Sequence, residues 1–189
     1  MNILVLNGPN LNLLGQREPD VYGTLTLDEL NRQLAQFGEE LNERRAGVRE
    51  RVELFFYQSN HEGVLVDTIQ DAPRNYQGIV YNPAAHTHYS IALRDAIASI
   101  TIPVVEVHLS DISLREGFRS HSVIVDACIG QFKGRGAISY RDGVEFIVER
   151  IDALALSPAS LGISDGVGGL DELAAGSSNY RSALEQLNG

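Results

Sequence analysis

The sequence alternates short apolar runs with longer segments in which apolar residues recur at helical spacing. Residues 3–6 form an apolar run that stops at Asn7-Gly8-Pro9-Asn10, which is typical of a buried strand that ends in a turn. Thr26-Leu27-Asp28-Glu29 then has the form of a capping box, and apolar residues recur at helical spacing as far as Leu41. Because strands that alternate with helices build parallel sheets covered on both faces, this order predicts a doubly wound α/β domain.

The pattern continues along the chain and predicts five strands. The four further strands are expected at residues 52–57, 78–81, 103–107 and 123–129. Ser59-Asn60-His61-Glu62 has the form of a second capping box and predicts a helix that ends near Pro73. Further helices are expected after Asn82-Pro83, at residues 113–116 and from Asp142 onwards. The expected architecture is a flavodoxin-like, five-stranded parallel sheet in a single domain.

Residues 157–189 differ in composition from the rest of the chain, because Ser, Gly and Ala are frequent there. We therefore divide the chain into a domain, residues 1–156, that carries every candidate site residue, and a Ser- and Gly-rich C-terminal extension, residues 157–189. One helix is predicted in the extension, at residues 180–187.

Composition excludes several classes of partner. The formal net charge of −10 disfavours nucleic acid and anionic membrane surfaces. The first 15 residues have neither the basic start nor the unbroken apolar run of a signal peptide or a membrane span. Cys128 is the only cysteine, which excludes an internal disulfide and fits a reducing cytoplasm. We expect a cytoplasmic protein, in which an anionic small-molecule substrate would need a local cluster of arginines.

Polar residues follow three of the predicted strands at their carboxyl ends. Asn7–Asn10, Asn82–His88 and Glu106–Ser110 occupy these positions, where ligands bind in parallel α/β sheets. Glu106 and His108 are two residues apart on a strand, so their side chains are expected on the same side. A carboxylate beside an imidazole fixes the imidazole tautomer and suits it to donating a proton.

Four segments, Asn7–Asn12, Arg17–Gly23, Asn82–Ser90 and Glu106–Ser110, together with Arg115 and Arg119, resemble the type II 3-dehydroquinases over roughly residues 1–155. The resemblance implies trans elimination of water from 3-dehydroquinate through an enolate, which gives 3-dehydroshikimate, with neither cofactor nor metal. It also implies a homo-oligomer, usually a dodecamer. The same reaction serves the shikimate pathway to aromatic amino acids and the catabolism of quinate.

The resemblance assigns catalytic roles to five residues. Tyr22 is the base, and Arg17 in the same loop keeps its phenol ionised, which is needed because a free tyrosine has a pKa of about 10. His108 is the acid, oriented by Glu106, and Asn10 holds a water that hydrogen-bonds to the enolate oxygen. The positions that match substrate-binding residues are Asn82, His88, Leu109, Ser110, Arg115 and Arg119, and Asp95 matches a position that reaches a neighbouring subunit's site. Arg115 and Arg119 are expected on one face of a short helix.

The chain departs from the usual family pattern near the site, and two other interpretations remain open. Ala84 replaces a usual glycine, His86 an apolar residue and Asp111 an asparagine, which bears on substrate affinity more than on chemistry. In the first alternative, the H-x-H and E-x-H patterns of His86, His88, Glu106 and His108 ligate zinc or iron. In the second, the chain is a non-catalytic paralogue, a flavodoxin-like binding or assembly protein that has kept the pocket.

Overall fold

The computed structural model describes residues 1–16, 24–47 and 50–155. Five strands form one parallel sheet in the order β2-β1-β3-β4-β5. The strands are β1 (Asn2–Asn7), β2 (Glu53–Gln58), β3 (Gly78–Asn82), β4 (Val104–His108) and β5 (Gly130–Lys133), and the α-helices of the described residues are α1 (Leu27–Arg44), α2 (Glu62–Asp71), α3 (Ile91–Ser99) and α4 (Ala137–Ala155). This strand order is that of flavodoxin-like sheets, so the predicted fold class is confirmed.

The sheet has a hydrophobic core on each face. Ile3 and Val5 of β1 belong to the cluster formed with α1 and α4, whereas Leu4 and Leu6 belong to the cluster formed with α2 and α3. Successive side chains of a strand point to opposite faces, so an apolar run such as residues 3–6 is buried only if both faces are covered.

The two predicted capping boxes have different outcomes. At the start of α1, the Thr26 hydroxyl accepts a hydrogen bond from the Glu29 amide, and the Glu29 carboxylate accepts one from the Thr26 amide, as predicted. The prediction at Ser59 is wrong, because α2 begins at Glu62 with His61 as its N-cap. The Ser59 hydroxyl instead accepts a hydrogen bond from the His61 amide at 3.0 Å and so stabilises a turn before the helix.

The region between β4 and α4 also differs from the prediction. The fifth strand is Gly130–Lys133 and not residues 123–129, where a 3-10 turn spans Val125–Ala127. Ile124 in this segment is fully buried beside α2 and α3, so its apolar residues pack a loop onto the core. The true strand lies at the sheet edge and is only half-buried, which explains its polar composition. The last helix begins at Ala137, five residues before the predicted start.

A close backbone contact holds the carboxyl ends of β1 and β3 together. The Gly8 amide donates a hydrogen bond to the Asn82 carbonyl oxygen at 2.7 Å. A Cβ atom at position 8 would lie 2.5 Å from the Pro83 carbonyl oxygen, so only glycine fits here. The segments that follow β1 and β3 are therefore brought side by side.

The predictions that concern Arg17, Tyr22 and the extension at residues 157–189 lie outside the described residues. In the part of the chain that the structure describes, no helix has both the length and the apolar character to cross a bilayer.

Candidate active site

A cavity of about 150 Å³ lies beyond the carboxyl ends of β1, β3 and β4. Its wall includes seven of the residues predicted from the sequence, namely Asn10, Asn82, His108, Leu109, Ser110, Arg115 and Arg119. The three polar segments therefore converge at one edge of the sheet, as the position of parallel strand ends requires.

The carboxylate and the imidazole at the end of β4 form a buried pair. His108 Nε2 lies 2.7 Å from Glu106 Oε1, and both side chains lie on the same side of the strand, as predicted. Glu106 is fully buried and His108 is 4% exposed, although His108 lines the cavity. Because Nε2 is engaged by the carboxylate, the other ring nitrogen, Nδ1, is the one left for a ligand.

Three further side chains donate hydrogen bonds to Glu106. They are the hydroxyl of Thr87, the hydroxyl of Ser122 at 3.0 Å and the amide of Gln131 at 2.9 Å. Burial acts to raise the pKa of Glu106, but the hydrogen bonds from His108, Thr87 and Gln131 together outweigh it and hold the pKa below its usual value. Glu106 is therefore an ionised carboxylate in a dry environment. Sequence reasoning missed these three residues, of which only Thr87 lies within a predicted site segment.

A second network orients Asn82. Its side-chain nitrogen donates to the Tyr140 hydroxyl at 2.7 Å, and that hydroxyl donates to Asn7 Oδ1 at 2.7 Å. The Asn82 oxygen accepts a hydrogen bond from the Ala84 amide at 3.0 Å. Burial raises the pKa of Tyr140, so its hydroxyl stays protonated and can donate. The orientation of Asn82 at the cavity is thus fixed from both ends of its amide.

Arg115 and Arg119 both line the cavity, but the prediction that they share one helix is wrong. Arg115 follows the 3-10 turn Ile112–Leu114, and Arg119 ends a separate 3-10 turn, Gly117–Arg119. Arg115 donates to the Ser110 hydroxyl at 2.6 Å. Arg119 contacts Glu116 through two hydrogen bonds, of 2.7 and 2.9 Å, and this guanidinium holds the pKa of Glu116 down to about 2. Two cations are therefore concentrated at the cavity of a chain with a net charge of −10.

Three other predicted residues have distinct surroundings. Asn10 is an exposed cavity residue with a φ of 66°, and its backbone N–H donates to Asn60 Oδ1 at 2.8 Å. His88 does not line the cavity; its Nδ1 lies 2.7 Å from the His121 carbonyl oxygen and must therefore donate to it. Asp95 is exposed on α3, lies 3.3 Å from Arg94 and is not part of the cavity wall.

The histidines do not form a metal site within residues 1–16, 24–47 and 50–155. No group of three or more His, Cys, Asp or Glu side chains in these ranges is arranged to hold a metal ion. His86 is 5% exposed, and its ring packs edge-on against Tyr89 at a centroid distance of 5.7 Å. His88 is the last residue of the 3-10 turn Ala84–His88, whereas Ser90 caps α3. The H-x-H and E-x-H patterns therefore give no ligand cluster here.

Comparison with known proteins assigns the chain to a family. The model of the family described as dehydroquinase class II matches residues 1–148. The chain belongs to this family. The matched region includes all the site residues named above, among them Arg17 and Tyr22, whose surroundings lie outside the described residues.

Two 3-dehydroquinate dehydratases and one type II dehydroquinase of known structure are similar to about four fifths of the chain. The chain is 49% identical over 154 residues to the 3-dehydroquinate dehydratase of Bacillus pumilus, which covers 82% of this chain and 99% of that protein. It is 53% identical over 147 residues to the 3-dehydroquinate dehydratase of Trichodesmium erythraeum, with 78% and 92% covered. The crystal structure of a type II dehydroquinase from Butyrivibrio crossotus has a TM-score of 0.72 and 43% identity, and it covers 78% of this chain and 97% of that one.

Proposed function

We propose that the chain catalyses the dehydration of 3-dehydroquinate to 3-dehydroshikimate by trans elimination through an enolate. The observation that carries the proposal is the buried Glu106–His108 pair, which meets two arginines at one cavity of a class II dehydroquinase domain. The pair supplies a proton donor, and the arginines supply positive charge for an anionic substrate.

His108 is the general acid in this proposal. Glu106 fixes the proton on Nε2 and stabilises the imidazolium, so Nδ1 carries the proton that is transferred. When the enolate collapses, the carbon–oxygen bond of the leaving hydroxyl breaks, and the oxygen takes this proton and departs as water. The imidazole is left neutral beside the carboxylate.

Tyr22 is the general base, and Arg17 is the cation that keeps its phenol ionised. The phenolate oxygen removes a proton from the carbon beside the ketone, and the electron pair of that bond forms the enolate. Asn10, at the turn after β1, holds a water that donates to the enolate oxygen. Asn82, Leu109, Ser110, Arg115 and Arg119, which line the cavity, bind the carboxylate and hydroxyl groups of the substrate. We assign His88 to the same set although it lies outside the cavity wall, because its Nε2 is buried without a hydrogen-bond partner among the described residues. Tyr22 accepts the proton, His108 donates one and the water held by Asn10 stabilises the enolate, so the proposed reaction uses neither metal nor cofactor.

The proposal extends to assembly and cellular role. Asp95 is exposed and absent from the wall of its own chain's cavity, which fits a residue that completes the site of a neighbouring subunit in a homo-oligomer, proposed to be a dodecamer. The reaction would take place in the cytoplasm, in the shikimate pathway or in quinate catabolism.

The reaction can be followed directly, because the product is a conjugated enone that absorbs ultraviolet light. We expect absorbance to rise when the purified chain is mixed with 3-dehydroquinate, and we expect the rate to be unchanged by chelators and by borohydride. Tyr22→Phe removes the proposed base, so turnover is lost while calorimetry still detects substrate binding. Tyr57→Phe is the matched control, since Tyr57 is 44% exposed on β2.

Two further results complete this test. Arg17→Ala should slow the reaction and move its pH profile upward, because the phenol then ionises at higher pH. Full turnover in Tyr22→Phe would reject the base assignment. Absence of enone with the unmodified chain would favour the non-catalytic paralogue.

A further inference from the structure

Four side chains donate hydrogen bonds to the buried carboxylate of Glu106. Its Oε1 accepts from Thr87 and from His108 Nε2, and its Oε2 accepts from Ser122 and Gln131. Each oxygen therefore has two donors, and the carboxylate is fully coordinated in an environment without solvent. We call Thr87, Ser122 and Gln131 the Glu106 cradle.

The direction of the Ser122 hydrogen bond follows from its other contacts. Its hydroxyl oxygen accepts from the amides of Ile124 and Val125, at 3.2 and 3.1 Å. These two amides occupy both lone pairs of the Ser122 oxygen, so it does not also accept from the Thr87 hydroxyl, 2.9 Å away, and Thr87 can give its proton to Glu106. The single proton of the Ser122 hydroxyl can then point at Glu106 Oε2, 3.0 Å away. The backbone of the loop after Ser122 thus fixes this donor in place.

The position of Gln131 follows from the sheet register. Gln131 of β5 is the direct partner of Glu106 on β4, so the two side chains leave neighbouring strands on the same face. Its amide nitrogen lies 2.9 Å from Glu106 Oε2. Gln131 is only partly buried on an edge strand, so packing alone gives no reason for an amide there.

We propose that Gln131, together with Thr87 and Ser122, is a positioning residue that acts through Glu106 on the proton held by His108. The inference rests on the proposed function for its kinetic consequence. The cradle does two things: it holds the carboxylate in the plane in which Oε1 meets Nε2, and it draws negative charge away from the imidazole. Without it, the carboxylate keeps more of its negative charge and attracts the imidazole proton more strongly.

Gln131→Met keeps the length of the side chain and removes the hydrogen-bond donor to Glu106. Glu106 and His108 share a hydrogen bond of 2.7 Å, so a change in the charge of the carboxylate acts directly on the imidazole proton. A donor to the carboxylate favours the charged form, so loss of the donor makes the pair hold its protons more tightly. Proton release from the pair is then displaced to higher pH.

The test compares wild type, Gln131→Met and the control Gln36→Met, in which the residue is exposed on α1. We expect kcat of Gln131→Met to fall on the order of tenfold, with KM little changed and the alkaline limb of kcat displaced upward. The imidazole nitrogen resonances of His108, assigned with a His108→Ala variant, should titrate at higher pH in the same protein without substrate. Gln36→Met should match wild type in both measurements.

Thr87 offers a second, matched pair of variants. Thr87→Val keeps the shape and loses the hydroxyl, whereas Thr87→Ser keeps the hydroxyl. We expect Thr87→Val to change the kcat profile and the imidazole titration as Gln131→Met does, and Thr87→Ser to match wild type in both. A kcat profile and an imidazole titration unchanged in both Gln131→Met and Thr87→Val would overturn the inference. If the wild-type chain forms no enone, the proposed function fails, and the substrate-free titration still decides whether the cradle acts on His108.

Discussion

Ala84 has a φ of 52°, in the left-handed region that residues with a Cβ disfavour. Glycine, which has no Cβ, adopts this region without strain. We predict that Ala84→Gly stabilises the chain by about 1 kcal/mol, the relief of strain less the entropy that glycine loses on folding. Urea unfolding measures the change. Ala85→Gly is the control, since Ala85 has no positive φ and should lose stability; equal losses in both variants would contradict the strain argument.

His86 is buried, and its Nδ1 has no hydrogen-bond partner among the described residues. Burial lowers the pKa of His86, and the opposing attraction of Glu62 is weaker. The unfolded chain therefore binds the proton more tightly, and stability is lost as pH falls below about 6.5. We predict that His86→Leu loses less stability than wild type between about pH 7.5 and pH 5.5, measured by urea unfolding.

The control for this pH prediction is His61→Leu, at an exposed position before α2. Its stability should depend on pH as that of wild type does. A pH dependence of His86→Leu that equals the wild-type dependence would show that proton uptake at His86 does not contribute to acid unfolding.

At the scale of elements, the spacing of apolar residues predicted the strands and helices whose side chains are buried in the two core clusters. β1, β3 and β4 were found because both of their faces are covered, so each is an unbroken apolar run. β5 was missed because an edge strand carries polar residues, and the apolar residues before it pack as a loop around Ile124. The Ser59 capping box was wrong because the same spacing also serves a turn that precedes a helix.

The contact between α4 and the strand ends leads to a prediction about both stability and substrate binding. Tyr140→Phe leaves the side chains of Asn7 and Asn82 without their buried partner, which costs about 1–3 kcal/mol of unfolding free energy. Because Asn82 also lines the cavity, we expect KM for 3-dehydroquinate to rise. Tyr81→Phe is the matched control, since the Tyr81 hydroxyl is buried without a partner among the described residues and its removal should not destabilise. Equal losses in the two variants would reject the role of the network.

At the scale of the whole molecule, the topology of the sheet made part of the site predictable. Asn10, Asn82 and His108 were found because the carboxyl ends of parallel strands meet at one edge. Gln131, Ser122 and Tyr140 were not found, because they reach the site from an edge strand, a loop and a helix that have no local pattern in common with it. Such partners become visible only when strand register and helix packing are known.

A site shared between subunits can be tested by mixing two inactive variants. If Asp95 acts in a neighbour's site, Asp95→Ala and His108→Ala each lose activity, because each breaks a different half of every site. Co-expression then restores activity, since random pairing of subunits leaves about one site in four intact. Mixing His108→Ala with Tyr22→Phe is the control, because both residues are proposed to act in the site of their own chain and every site would lack one of them. Sedimentation of the mixed assembly must show that the two variants share oligomers. If the variants share oligomers and activity is not recovered, Asp95 does not act in the neighbouring site, because subunits that carry His108 would then lie beside subunits that carry Asp95 without forming an active site.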